Sequence, residues 1–160
     1  LMIVPRCRKH SDQSAAEDSF FRELLGCEPV YLEPEVGYPG YTAVDSADVV
    51  VAIDSTLGYE SIARGNKTAI FSIRGTLLGD LSRNYGWPED FPDKGPFWTN
   101  KPDPDSFDRI LDYLFEVDAA QWKKNVAATG FSSLMAYDPD NTTLKAIFEK
   151  ELGTPPKRVD

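Results

Sequence analysis

The densest apolar run in the chain is Asp48-Val49-Val50-Val51-Ala52-Ile53-Asp54, five apolar residues between two acids, four of them β-branched. It lacks the alternation of a half-solvated strand, so it predicts a parallel-sheet strand covered on both faces. Ser55 and Thr56 follow, then a short helix from Leu57 to Arg64 that stops at Gly65, then a strand from Lys67 to Ile73. Residues 48–73 therefore predict one βαβ unit, which should cross over right-handed.

Weaker patterns flank this unit. Ile3 and Val4 read as a strand stub and residues 5–13 as a polar loop. Ser14-Ala15-Ala16-Glu17 has capping-box spacing, and Phe20, Phe21, Leu24 and Leu25 then share a helical face that Gly26 ends. Val30-Tyr31-Leu32 is a second short strand, residues 33–40 a Pro- and Gly-rich loop, and residues 41–47 one or two helical turns. Residues 74–100 read as irregular. Trp87, Phe91, Phe97 and Trp98 either make this stretch a functional loop or pin it to the core, and residues 97–99 suit a short last strand.

Helices follow. Asp103 and Pro104 open one with Phe107, Ile110, Leu111 and Leu114 on a face, and Asp118 opens another carrying Trp122 and Val126. Asn141 is the expected cap of a last helix with Leu144, Ile147, Phe148 and Leu152, ended by Gly153, and residues 154–160 are expected to fray. Strands alternating with helices predict an α/β fold, a Rossmann-like open parallel sheet flanked by helices with a helical C-terminal region. One domain over residues 1–153 accommodates all of it.

Composition narrows the function. A net charge of −9 argues against a nucleic-acid partner, because phosphate contacts need clustered Lys and Arg. The one basic cluster is Arg6, Arg8, Lys9 and His10. Apolar runs fall short of the roughly 20 residues a transmembrane helix needs, so no transmembrane segment is expected. Cys7 and Cys27 fit neither a metal pattern nor a disulfide framework and read as reduced thiols, which suits the cytoplasm. The opening Leu1-Met2-Ile3-Val4 begins inside a strand-like run and suggests a piece of a longer protein.

In an open parallel sheet, ligands lie beyond the carboxyl ends of the strands. There Ser55 and Thr56 offer two hydroxyls at a helix start with its unpaired N–H groups, and Leu57 and Gly58 complete the first turn. The same hydroxyls also suit ordinary capping. Glu60 lies one turn in; it is either an acid favoured by the helix dipole or a carboxylate for a ribose diol. Tyr59 could stack on a base or fill the core, and Asp54 is expected to cap the turn. Arg74 would reach this edge from the next strand and fork onto phosphate, and His10 would open onto it from the first strand or stay inert. A P-loop, a GxGxxG motif, an HExxH pair and a catalytic triad are missing, so no metal and no cofactor are expected.

The stretch from Ala47 to Lys67, with its strand, Ser55-Thr56, Glu60 and Gly65, resembles the C-terminal-domain motif of GT-B glycosyltransferases of bacterial surface-carbohydrate biosynthesis. Gly95-Pro96-Phe97-Trp98 and Tyr137-Asp138-Pro139-Asp140-Asn141-Thr142-Thr143-Leu144 resemble the same group, so the likeness spans roughly residues 40–150. It implies a Rossmann-like domain that binds a donor nucleotide-sugar, with Ser55 and Thr56 at the donor phosphate and Glu60 at the nucleotide. It also implies an N-terminal GT-B domain of the same parent chain that supplies the catalytic base, so this part alone should lack transferase activity. Its place would be the cytoplasm or the inner face of the membrane. Related patterns occur in UDP-sugar 2-epimerases and CDP-glycerol glycerophosphotransferases. The His-Pro pair of CMP-sugar enzymes is absent from Val4-Pro5-Arg6-Cys7-Arg8-Lys9-His10. A non-catalytic Rossmann-like module that docks on a partner is the competing class, motivated by the aromatic residues 75–98.

Overall fold

The computed structural model describes residues 2–3, 11–28, 30–31 and 39–153. The strongest sequence signal becomes its centre. β3 (Val50–Ile53), α3 (Thr56–Ala63) and β4 (Thr68–Phe71) form a parallel β-α-β unit. β5 (Trp98–Thr99) adds in parallel to the far edge of β4, giving a three-stranded sheet in the order β3-β4-β5. Upstream, β1 (Met2–Ile3) and β2 (Val30–Tyr31) pair in parallel across α1 (Ser11–Leu25) as a separate two-stranded sheet. The fold is thus α/β with parallel strands and flanking helices, as expected, but the sheet is partial.

Strand alternation sorts the core. No residue of β4 is more than 7% exposed. On one face of the sheet Ala52 and Ile70 meet α3, where a Cβ on Gly58 would stand 2.5 Å from the Ala52 Cβ. Gly58 therefore lets the helix backbone seat on the strand. On the other face, Phe71 packs on Phe107 of α5 (Pro104–Glu116), with ring centroids 4.3 Å apart. Ile110 and Leu114 of the same helix are buried, as their spacing predicted. α6 (Ala119–Ala128) adds Trp122, whose indole N–H donates to the Gly65 carbonyl at 3.1 Å. β3 differs: Val51 and Ile53 are 47% and 59% exposed, so the expectation that both its faces are covered fails. Their side chains share the Phe71 face, where α5 packs chiefly on β4 and β5.

Several local expectations shift. α1 begins at Ser11, three residues before the capping-box pattern. α2 (Pro39–Ser46) is the helix expected near residues 41–47. Residues 74–100 are less irregular than their glycines suggest. They open with α4 (Arg74–Leu78) and a 3₁₀ turn over Leu81–Arg83, and a Cβ on Gly75 would lie 2.0 Å from the Asn84 Oδ1. Tyr85, Phe97 and Trp98 pin this stretch to the core, with Tyr85 stacked on Trp98 at 4.4 Å. α7 (Thr142–Leu152) has no buried residue. Asn141 sits at its N-cap position in left-handed backbone and makes no side-chain cap bond. Asp138 does that work, accepting from the Thr142 and Thr143 N–H groups at 2.9 and 2.8 Å. Cys7 and residues 154–160 lie outside the described residues, and Cys27 is a free, exposed thiol. Among the described residues no helix is long and apolar enough to cross a membrane.

Candidate functional site

The carboxyl ends of β3, β4 and β5 share one edge because the strands are parallel. β3 leaves that edge through Asp54, which adopts a positive φ of 48°. This conformation is uncommon for a residue with a Cβ, though Asp and Asn enter it most readily. Ser55 then returns to extended backbone as the N-cap of α3, and its hydroxyl accepts from the Leu57 N–H at 3.3 Å. The capping role is thus real, yet Ser55 and Thr56 both remain exposed at the start of the helix.

Asp54 is not the turn cap that its position suggested. Its side chain is only 9% exposed, and neither carboxylate oxygen accepts a hydrogen bond. The Arg74 Nε, from the start of α4, stands 3.6 Å from its Oδ2. Burial pushes the Asp54 carboxyl above its ordinary range, while the positive charges of Arg74 and Arg83 pull it back. Arg74 therefore reaches the predicted edge, where its partner is this protein's own acid. β5 delivers Asn100 to the same edge, and its Oδ1 accepts from the Tyr85 N–H at 2.8 Å.

Tyr59 packs against the core. It stacks on Tyr85 at 5.5 Å, and its hydroxyl accepts from the Gly86 N–H at 3.0 Å. Burial raises the pKa of both tyrosines above the usual phenol range. Gly58 likewise serves the Ala52 contact rather than an incoming group, and Leu57 is half-buried against Gly40 of α2.

Glu60 has the more open setting. It lines a groove of about 570 Å³ between α2, α3 and the segment before α7. Arg64, four residues on, shares that face of α3, and Tyr41, Tyr137, Asp138 and Asn141 complete the walls. Arg64 is held firmly. It forks onto the Asp45 carboxylate, with Nε donating to Oδ1 at 2.8 Å. Its guanidinium carbon lies 5.1 Å from the Tyr41 ring centroid and 4.9 Å from that of Tyr137. The hydrogen bond from Arg64 brings the Asp45 carboxyl down to about 2, helped by Asn66. Its bonds from the Thr143 and Thr142 backbone hold Asp138 at about 2 as well. The groove is therefore acidic in net character, with Glu60 and Asp138 on its walls and its one arginine already matched by Asp45.

The structure thus places Ser55 and Thr56 at the start of α3 and Glu60 one turn along, on a groove that Ser55 and Thr56 do not line. His10 lies outside the described residues. Tyr41, Arg64 and Asp45 were missed in the sequence; the spacing of Glu60 and Arg64 was the available signal for one of them. Among the described residues no cluster of three or more His, Cys, Asp or Glu could hold a metal ion.

No curated protein and no solved structure matches this chain. One family model does, described as “putative O-antigen biosynthesis protein”, and it matches residues 1–152. That span takes in both sheets, the carboxyl edge at Ser55 and the groove at Glu60, and on it the chain belongs to this family of O-antigen biosynthesis proteins.

Proposed function

We propose that this chain is the donor nucleotide-sugar-binding half of a two-domain GT-B glycosyltransferase acting in O-antigen biosynthesis. The observation that carries the reading is Glu60, which sits one helical turn beyond an exposed Ser-Thr helix start and lines an open groove large enough for a nucleoside. An acidic groove suits the hydroxyls of a ribose or sugar, which donate to carboxylates, better than it suits phosphate. The phosphates would lie at the start of α3, beside the exposed Ser55 and Thr56 hydroxyls and the positive end of the helix, with Arg74 reaching them only by giving up Asp54. The catalytic base would come from an N-terminal domain of the parent enzyme, working in the cytoplasm or at the inner face of the membrane.

Titration with CMP, UDP, GDP and CDP-glycerol, followed by amide chemical shifts and calorimetry, tests this. One nucleotide should move the amides of Ser55, Thr56 and Glu60, and Glu60→Gln should weaken it about tenfold, the loss of one charge-assisted hydrogen bond. No movement at millimolar concentrations of any of the four would end the proposal. A second reading, a non-catalytic docking module, is favoured by exposed Leu77, Leu78, Leu81 and Trp87 beside the same edge. Under that reading the nucleotides leave the spectrum unchanged.

A further inference from the structure

Two arginines of this chain face aspartates, and they are held differently. Arg64 forks onto Asp45 with an Nε bond of 2.8 Å, and two tyrosine rings flank its guanidinium. The Arg74 Nε stands 3.6 Å from the Asp54 Oδ2, too far for a hydrogen bond, and the Arg74 side chain is half exposed. Asp54 is the buried partner of this loose pair, with both oxygens sealed from solvent and neither accepting a hydrogen bond. A carboxylate in that setting depends on nearby positive charge. Three titratable groups face it. Arg83, from the 3₁₀ turn, already donates to Asp80 at 3.0 Å. Tyr59, from α3, is kept a neutral phenol by burial. Arg74, from α4, is the counter-charge that remains.

Asp54 directly precedes Ser55, so Arg74 stands one residue from the exposed hydroxyls that open α3. We propose that Arg74 switches between two anions: it faces Asp54 in the free protein, and it turns onto a phosphate or similar oxyanion settling at the start of α3 while Asp54 takes a proton from solvent. This rests on the phosphate reading of that helix start, and it adds Asp54 as the residue that couples oxyanion binding to proton uptake. The exchange balances. One proton enters for each arginine withdrawn, and no covalent bond of the oxyanion breaks. Left without Arg74, a charged Asp54 would be a buried ion lacking its partner, and protonation relieves it. By linkage, the proton and the oxyanion raise each other's affinity by one common factor. Burial already lifts the Asp54 carboxyl above 3.8, so oxyanion affinity should fall as pH rises through the range in which Asp54 ionises.

Sulfate is the probe, because its charge is constant across the carboxylate range. The Ser55 and Thr56 amide shifts report its binding, and the Asp54 carboxyl carbon reports the proton. Saturating sulfate should raise the Asp54 midpoint by about one pH unit, which corresponds to an affinity about tenfold higher on the acid side. Asp54→Asn needs no proton and should bind sulfate about tenfold more tightly at neutral pH, with that tenfold pH dependence removed. Asp48→Asn is the charge control, an exposed acid before the other end of β3, and it should change affinity little. An Asp54 midpoint indifferent to sulfate would overturn the switch. So would an Asp54→Asn variant that binds no more tightly than Asp48→Asn. In either case sulfate shifts at Ser55 and Thr56 would still support the phosphate reading. Sulfate that leaves those amides unmoved in every variant would overturn the switch and the phosphate reading together.

Discussion

β4 and β3 are neighbours of equal length and similar composition, yet one is buried along its whole length and the other is half bare. β4 lies between two strands and under two helices, with α3 on one face and α5 on the other. Among the described residues β3 lacks a partner strand on one side, and Val51 and Ile53 stay exposed. The stable centre is thus β4, β5, α5 and α6, while the residues with chemistry to offer (Asp54, Ser55, Thr56 and Glu60) leave from the strand at the margin. In an open parallel sheet ligands lie beyond the carboxyl ends of the strands, and these residues stand at that end of β3. The β4 side holds the core, and the β3 side carries the candidate residues.

Perturbing the two regions should separate them, beginning with the largest effect. Trp122→Ala removes a buried indole that packs on Phe97 at 5.1 Å and donates to Gly65. Its loss should cost about 3–5 kcal/mol in urea unfolding, the range for large aromatic deletions in cores. A much smaller cost would mean that the β5 and α6 side is not the stable half. Gly58→Ala tests the seam between the regions, since the new methyl would meet the Ala52 Cβ at 2.5 Å. Overpacking of this kind costs about 1–3 kcal/mol, and the amide shifts of Ser55 and Thr56 should move with the displaced helix.

Asp54→Asn probes the margin itself. Burial raises the folded-state pKa of Asp54, so ionising it works against the fold, and its contribution to stability falls as pH rises through the carboxylate range. The variant should therefore melt higher than the unaltered protein at neutral pH, with the gap closing in acid; a lower melting temperature at neutral pH would show that the Arg74 pairing outweighs burial. The smallest effect belongs to Asp45→Asn. The Asp45 carboxyl is lowered to about 2 from an ordinary 3.8, so its pairing with Arg64 stabilises fully above pH 3.8 and fades as pH drops toward 2. Because the pair is partly solvated, the loss at neutral pH should stay at or below about 1 kcal/mol. Thermal melts across that pH window check the sign, and loosening of Tyr41 and Tyr137 around the groove should accompany it.

The β3-α3-β4 unit could be read directly, because a run of β-branched residues, a Ser-Thr cap and a glycine stop are local signals set by neighbours in sequence. The faces of α5 and α6 were legible for the same reason. The start of α1 was not, as Ser11 and Ser14 are equally good openings by composition. Asp138 displaced Asn141 as the cap of α7 because the backbone geometry of the turn decides which side chain reaches the free N–H groups. Gly75 looked like loop punctuation, whereas its lack of a Cβ admits the Asn84 side chain.

Sequence alone determined the class of the fold, the central unit and the placing of Ser55, Thr56 and Glu60 along α3, since each depends on spacing within a few residues. Tertiary structure alone decided that Asp54 is buried against Arg74, that Tyr59 belongs to the core, and that Glu60 shares a groove with Tyr41 and Tyr137. Those outcomes join residues many positions apart. Burial and charge pairing depend on which surfaces meet in three dimensions, and local spacing carries no record of that.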